Sequence, residues 1–366
     1  MKPVLFVTGN APAYRVGAFE RLHAREDIEL ALFGGSARHA GEAHAGELPL
    51  PHRRVRPHEL FALAASGDYR AVVCPTGGRV APLASWAGAR RARVPLILWA
   101  SLWAHPRTAT HALTYLPLRR LYGSANAVVT YGPHVSAYVA ARGARNVHVA
   151  PQSVDNDFWS APAPAAATLT RWPASAETRF LFVGRPAREK GLGVLLRAWE
   201  EARLGSAHAA LVLVGVGAEL PRHARRGAAA GDQGVVCLDP VGAVELRSLY
   251  AASHALVLPS IPTRAFREPW GLVVNEAMNR RLPVIASDAV GAAAGGLLRD
   301  EANGLVIPAG DPLALANAMR RLAGDTQLRA RLGARGAADV RAYSHDAWAE
   351  GFARALRTVG VARGRW

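Results

Sequence analysis

Lysine is almost missing from this chain: Lys2 and Lys190 are the only two in 366 residues, and 42 arginines carry the rest of the positive charge. Cysteine is as sparse, at Cys74 and Cys237. Each lies in an apolar run that reads as a buried strand, and neither has a metal-ligand neighbour. A disulfide scaffold and a cysteine-based metal site are therefore excluded, and free thiols in a reducing compartment are expected. Long hydrophobic runs are absent too. The longest, Val94–Ala104, spans 11 residues, against the roughly 20 that a membrane helix needs. No signal peptide is visible, because Val4–Val7 is too short and reads as a first strand. The expected location is cytoplasmic, either soluble or peripheral at the inner face of the cell membrane.

What is present is charge without concentration. The net charge is +16, but residues 1–160 hold 18 basic against 10 acidic side chains and residues 161–366 hold 26 against 18, so each part nets +8. No separate basic module or RNA-binding signature stands out, and nucleic acid is not an expected partner. With heavy Ala and Gly usage, the preference for Arg reads as a composition bias. Affinity for anions, whether sugar nucleotides or anionic lipid surfaces, still follows from the sign of the charge.

The length suggests two domains. Val4–Val7, Ile28–Phe33, Ala71–Cys74, Leu96–Trp99, Ala127–Thr130 and Val147–Val149 read as strands, with helical patterns such as Ala81–Arg93 and His134–Arg142 between them. A second series follows at Phe180–Val183, Leu211–Val214, Val235–Leu238, Ala255–Leu258, Pro283–Ala286 and Gly304–Ile307. This βαβ alternation predicts an α/β fold of two Rossmann-like domains with parallel sheets facing a central cleft. The first domain is placed at 1–160, an Ala- and Pro-rich linker at 161–175 and the second domain at 176–344. From Asp311 the pattern is helical, with breaks expected near Gly324 and Gly333–Gly336. In the helix after Gly191, Leu192, Leu195, Leu196 and Trp199 form one apolar stripe for core packing.

The most informative segment is Glu268-Pro-Trp-Gly-Leu-Val-Val-Asn-Glu276. Pro269 and Gly271 mark a loop turning into a helix that begins at Leu272, which places Glu276 more than one turn inside it. Carboxylates beside a helix N-terminus suit a ligand that carries both phosphate and sugar hydroxyls. Two glutamates eight positions apart also fit a plain solvated loop and helix. Gly184-Arg185 follows one predicted strand, and Lys190 comes five residues later. An arginine fork and a lysine point charge at one strand end fit a diphosphate, and a solvated loop pair is the alternative. Gly215 and Gly217 allow backbone to approach a ligand, as would any strand-to-helix turn. Pro240 and Val241, after the third strand of this series, are candidates to face a nucleobase.

As a set, Val183-Gly-Arg185 with Lys190-Gly191, Val214-Gly-Val-Gly217, Leu246–Ser253 running into Leu256–Ser260, Glu268–Glu276, Pro283–Asp288 and Asn303-Gly-Leu-Val-Ile-Pro308 resemble the GT-B retaining glycosyltransferases of family four. The resemblance covers nearly all of the second domain. It implies that Arg185 and Lys190 neutralise a donor diphosphate, aided by the amides near Gly271 and Leu272. It further implies that Glu276 binds the ribose and that Glu268 orients the transferred sugar. The donor would be a nucleotide-diphosphate sugar, with retention at the anomeric carbon and neither cofactor nor metal. The first domain matches less well. Its loop from Gly9 to Arg15 lacks the family's paired glycines, and Gln152-Ser153 stand where Asn-Gly is usual. His105, after the fourth apolar strand, is the candidate active-site histidine, with His111 as its rival. The C-terminal segment, about 345–366, resembles the helix that crosses back onto the first domain.

The acceptor, a glycan, a lipid-linked or a small molecule, is left open. Trp99, Trp103, Tyr115, Arg107, Arg119 and Arg120 interleave aromatic and basic residues, which fits either a surface for a lipid-linked or polymeric acceptor at an anionic membrane or a helix with core aromatics and solvated arginines. A sugar-nucleotide epimerase, a glycan phosphorylase or a non-catalytic sugar-nucleotide-binding protein on the same fold are the other readings.

Overall fold

Val4–Val7 places apolar side chains at consecutive positions, and a strand buries such a run only if both its faces are covered. In the computed structural model this run becomes β1 (Val4–Thr8), buried along its whole length. The structure describes residues 1–34, 47–78, 80–164, 176–205, 208–216 and 234–363. In chain order β1 is followed by β2 (Ile28–Leu32), β3 (His52–Arg54), β4 (Ala71–Pro75), β5 (Leu96–Ala100), β6 (Ala127–Thr130) and β7 (Val147–Val149). They form one parallel sheet in the order β3-β2-β1-β4-β5-β6-β7. Alternate residues of β1 feed two cores. Val4 and Phe6 join Phe19, Trp348 and Phe352 on one side, and Leu5 and Val7 join Leu60, Tyr122 and Val135 on the other.

The second series gives β8 (Thr178–Val183), β9 (Ala209–Val214), β10 (Val235–Leu238), β11 (Ala255–Leu258), β12 (Val284–Ser287) and β13 (Leu305–Ile307). Their order is β10-β9-β8-β11-β12-β13, again parallel throughout. The stripe Leu192, Leu195, Leu196 and Trp199 lies in the core of this sheet. Cys74 is buried, and its thiol is pushed up to about 12 by burial; Cys237 is half-buried, and neither is in a disulfide.

The chain divides into two units, Met1–Asp155 with Tyr343–Trp366, and Asn156–Ala342. The sequence reading ran the first domain on to 160, but helix Asn156–Ser160 is tied into the second unit. Asn279 Nδ2 donates to Asn156 Oδ1 at 2.8 Å, and Arg247 reaches the Phe158 carbonyl at 2.8 Å. Most of the expected linker, residues 165–175, lies outside the described residues. Helix His345–Thr358 belongs to the first unit because Trp348, Phe352, Ala355 and Leu356 are fully buried in its core.

Two features depart from the sequence reading. β3 was missed because His-Arg-Arg has no apolar face; all three residues are exposed on an edge strand. The expected break at Gly333–Gly336 does not occur, and helix Thr326–Asp339 runs through it. Gly333 is needed there for contact, since a Cβ would sit 2.0 Å from the Arg281 carbonyl oxygen.

Candidate functional site

A parallel sheet ends all its strands on one edge, and ligands gather where the strand order reverses. In the second unit the reversal falls between β8 and β11. After β8 come Gly184, Arg185 and a single 3-10 turn, Arg188–Lys190. Gly191 follows at φ +71°, and a Cβ there would lie 1.9 Å from the Pro259 carbonyl oxygen. The turn therefore lies flush on the segment that leaves β11, an approach closed to any other residue. The amide of Ile261 donates to the Glu189 carbonyl at 2.9 Å and fixes the same contact. Across it, Lys190 Nζ donates to Glu268 Oε2 at 2.6 Å, and Ser260 Oγ lies 3.4 Å from that oxygen. Glu268 is only 7% exposed. Residues 78 positions apart, both singled out from the sequence, are thus paired over the switch point. Arg185 is exposed, with its nearest carboxylate, Glu189, at 3.9 Å; it stands on the same strand end outside the Lys190–Glu268 pair.

Beyond Glu268 the chain turns at Gly271, φ +90°, into helix Val273–Asn279. Leu272 is its N-cap, so Glu276 lies in the first turn, closer to the helix start than the sequence reading placed it. The buried Trp270 holds the turn by donating from Nε1 to Asn275 Oδ1 at 2.8 Å. Glu276 is oriented by Tyr250, whose hydroxyl donates to Oε2 at 2.8 Å. Burial, and then the Glu276 charge, push the Tyr250 phenol well above its usual range, so it stays a donor. Neither Tyr250 nor Ser260 was found from sequence. Tyr250 sits inside the family-like segment Leu246–Ser253, but a tyrosine in a helix beside Leu249 reads as core.

Gly215 lies beside Gly184 at the next strand end: a Cβ on it would be 3.0 Å from the Gly184 carbonyl oxygen. Gly217 lies outside the described residues. Pro240 is exposed and Val241 half-buried, just past β10 on the same sheet edge.

In the first unit the order reverses between β1 and β4. Gly9 follows β1, half-buried. Close by in sequence is a residue that no sequence motif marks. Arg15, 3% exposed, donates to Gln152 Oε1 and lies 5.3, 5.6 and 5.4 Å from the ring centres of Tyr14, Trp99 and Trp348. A buried guanidinium held by a neutral amide and three aromatic faces is a cation–π cage. His105 is packed rather than presented. Its Nε2 lies 3.0 Å from the His111 carbonyl, which only accepts, so Nε2 carries the proton. Its Nδ1 then accepts from the Tyr138 hydroxyl at 3.2 Å. His111 Nδ1 is paired with Thr108 Oγ1 at 2.6 Å. A cavity of about 600 Å³ is lined by His105, Arg107, Thr108 and Arg142. Of the interleaved aromatic surface, Trp99 packs on Phe6 and Trp348, Trp103 on His134 and Tyr115 on His105. These rings are fixed by the fold and are not a continuous exposed face, whereas Arg119 and Arg120 are exposed.

Among the described residues no group of three or more His, Cys, Asp or Glu side chains gathers as a metal site, and no helix is long and apolar enough to cross a membrane. The chain does hold one Asp-x-Asp spacing, Asp155-Asn-Asp157; both carboxylates are exposed and they fall on either side of the boundary between the units.

Residues 177–325 match the family described as glycosyl transferases group 1. The D-inositol 3-phosphate glycosyltransferase of Xylanimonas cellulosilytica is 32% identical over 215 residues, 55% of this chain and 48% of that protein. The alpha-D-kanosaminyltransferase of Streptomyces kanamyceticus is 30% identical over 184 residues, 50% and 46% of the two chains. The chain thus spans about half the length of these curated relatives. Among solved structures, Anabaena HepE in complex with UDP and glucose aligns over 98% of this chain and 100% of its own, with a TM-score of 0.74 at 17% identity. Sucrose-phosphate synthase of Thermosynechococcus elongatus aligns over 98% and 99%, with a TM-score of 0.71 at 20% identity. These likenesses show the GT-B class of α/β fold, and within it residues 177–325 match the glycosyl transferases group 1 family.

Proposed function

We propose that this protein transfers a sugar from a nucleotide-diphosphate sugar to an acceptor hydroxyl, with retention at the anomeric carbon and without a metal ion. The observation that carries the reading is the Lys190–Glu268 bond at the switch point of the second sheet. Each partner holds the place of what the other meets in the donor complex. A diphosphate draws the Lys190 ammonium, which frees the Glu268 carboxylate to accept from hydroxyls of the sugar. Arg185 adds a second cation to the diphosphate. Gly271 and Leu272 bring backbone close to it, and Glu276, steadied by Tyr250, accepts from the ribose hydroxyls. Pro240 and Val241 face the base. The bond from the anomeric carbon to the diphosphate oxygen breaks while the acceptor oxygen bonds to that carbon on the same face. The acceptor proton passes to the departing diphosphate. Concentrating positive charge where the diphosphate gathers electrons is the electrostatic part of the rate enhancement. The HepE complex with UDP and glucose and the inositol-phosphate glycosyltransferase relatives support this donor class.

The test is titration of the chain with uridine, guanosine and adenosine diphosphates and their sugar conjugates, with and without chelator. One base family should bind, indifferent to chelator. Glu268→Gln should keep or tighten diphosphate binding, because Lys190 is released, while turnover falls by about 10²–10³-fold. Full turnover in Glu268→Gln would remove that residue from the reaction. Absence of binding by every diphosphate would remove the donor site.

A further inference from the structure

From Tyr69 to Val154 the chain contains ten arginines and not one aspartate or glutamate; all 28 acidic residues lie elsewhere. This acid-free stretch includes three helices of the first unit, Ala81–Ala92, Ala109–Ser124 and Pro133–Ala140. A helix on a water-facing surface normally turns polar residues outward. Helix Ala109–Ser124 turns leucines outward as well. Leu113 is 81% and Leu116 70% exposed, and the exposed Arg119 and Arg120 continue the same surface. Leu83, on the neighbouring helix, is 46% exposed. A groove of about 910 Å³ runs between these helices, lined by Leu83, Trp86, Leu116, Pro117, Arg120 and Arg145 among others.

We infer that this face docks on an anionic phospholipid bilayer. The leucines enter the headgroup boundary, and Arg119, Arg120 and Arg145 meet lipid phosphates. Exposed leucines set among arginines, on a stretch of chain without acidic residues, are the pattern of a helix lying in a membrane interface. A nucleic-acid backbone rewards the arginines but not the leucines, and the rings of this region are already packed: Trp103 on His134, Tyr115 on His105, Trp86 beneath Arg90. The surface shares Arg119 and Arg120 with the one that the sequence suggested but replaces its aromatic rings by Leu113 and Leu116, and it is independent of the sugar-transfer reading.

The experiment is co-sedimentation of the full chain with vesicles of phosphatidylcholine plus phosphatidylglycerol and with pure phosphatidylcholine, at low and high salt. The expected result is at least about ten-fold more binding to the anionic vesicles, lost at high salt. Leu113→Ser with Leu116→Ser, and separately Arg119→Ser with Arg120→Ser, should each abolish it. These side chains are solvent-exposed, so thermal melting and diphosphate binding should be unchanged, which separates loss of docking from loss of folding. A chain that stays in the supernatant with anionic vesicles at low salt overturns the inference. So does binding that the leucine pair leaves intact and that a DNA duplex competes away, since the face would then recognise polyanions by charge alone.

Discussion

The strand ends of the two units are furnished differently. In the second, the side chains at the reversal of strand order are charged and bonded to one another: Lys190 to Glu268, with Ser260 beside them and Tyr250 on Glu276. In the first, the equivalent edge carries among the described residues one buried cation, Arg15, whose partners are a glutamine and three rings. An ion pair can exchange partners when a charged ligand arrives. A caged guanidinium cannot do so without opening the aromatic core around it. The second arrangement suits a site that must hand charge to a substrate, the first a rigid wall.

The sharpest way to break this contrast is to remove one cation from each unit. Lys190→Ala should lower kcat/KM by about 10²–10³-fold and weaken nucleoside diphosphate binding in parallel. Arg15→Met, an apolar replacement of similar volume, should leave diphosphate affinity within about twofold and stability near neutral. Titration calorimetry and denaturant unfolding read both, and equal losses from the two variants would dissolve the distinction. The wall itself should be the costlier structure to breach: Trp348→Ala, which empties a fully buried site, should cost about 3–5 kcal/mol in denaturant unfolding.

A weaker effect is expected in acid. The His254 ring accepts the Arg179 amide at 3.0 Å, and burial, then the nearby arginines, lower it from 6.5 to about 4. His345 in the first unit is lowered too, by burial first and then by Arg15. Both rings are neutral when folded, so their contribution is complete above pH 6.5. It is lost as the pH falls from there toward the folded value, because the unfolded ring takes a proton that the folded one refuses. For His254, screening by solvent at the half-exposed ring leaves roughly 1–2 kcal/mol of this between pH 6.5 and 4. His254→Asn, which keeps an acceptor and removes the titration, should flatten the fall in melting temperature over that window. Smallest of all, Tyr250→Phe should raise the donor KM about fivefold, the value of roughly one hydrogen bond, and leave kcat nearly unchanged.

What the sequence disclosed divides along the same line. The apolar strands were readable because a doubly covered parallel sheet demands consecutive apolar residues; His52–Arg54, an edge strand with nothing to bury, was not. Lys190 and Glu268 were readable because their chemistry is in their charge and their spacing follows strand ends. Tyr250 and Arg15 were hidden, since a helical tyrosine reads as core and one arginine among 42 reads as surface. Trp99, Trp103 and Tyr115 were grouped with the arginines around them, because a ring beside an arginine reads alike whether it faces solvent or packs inward. The helix break expected at Gly333 failed for a related reason: only the fold reveals that Arg281 comes close enough to require a glycine there.

Helix His345–Thr358 also bears on how the chain is built in time. It brings Trp348 and Phe352 to the centre of the first unit's core, yet it emerges from the ribosome after the whole of the second unit. The first unit therefore completes its core last, with Phe6 and Phe19 lacking their contacts to Trp348 while Asn156–Ala342 can already close. A nascent chain halted before residue 345 would carry a finished second unit beside an unfinished first one, and that interval is when the first unit is most open to a chaperone or to aggregation.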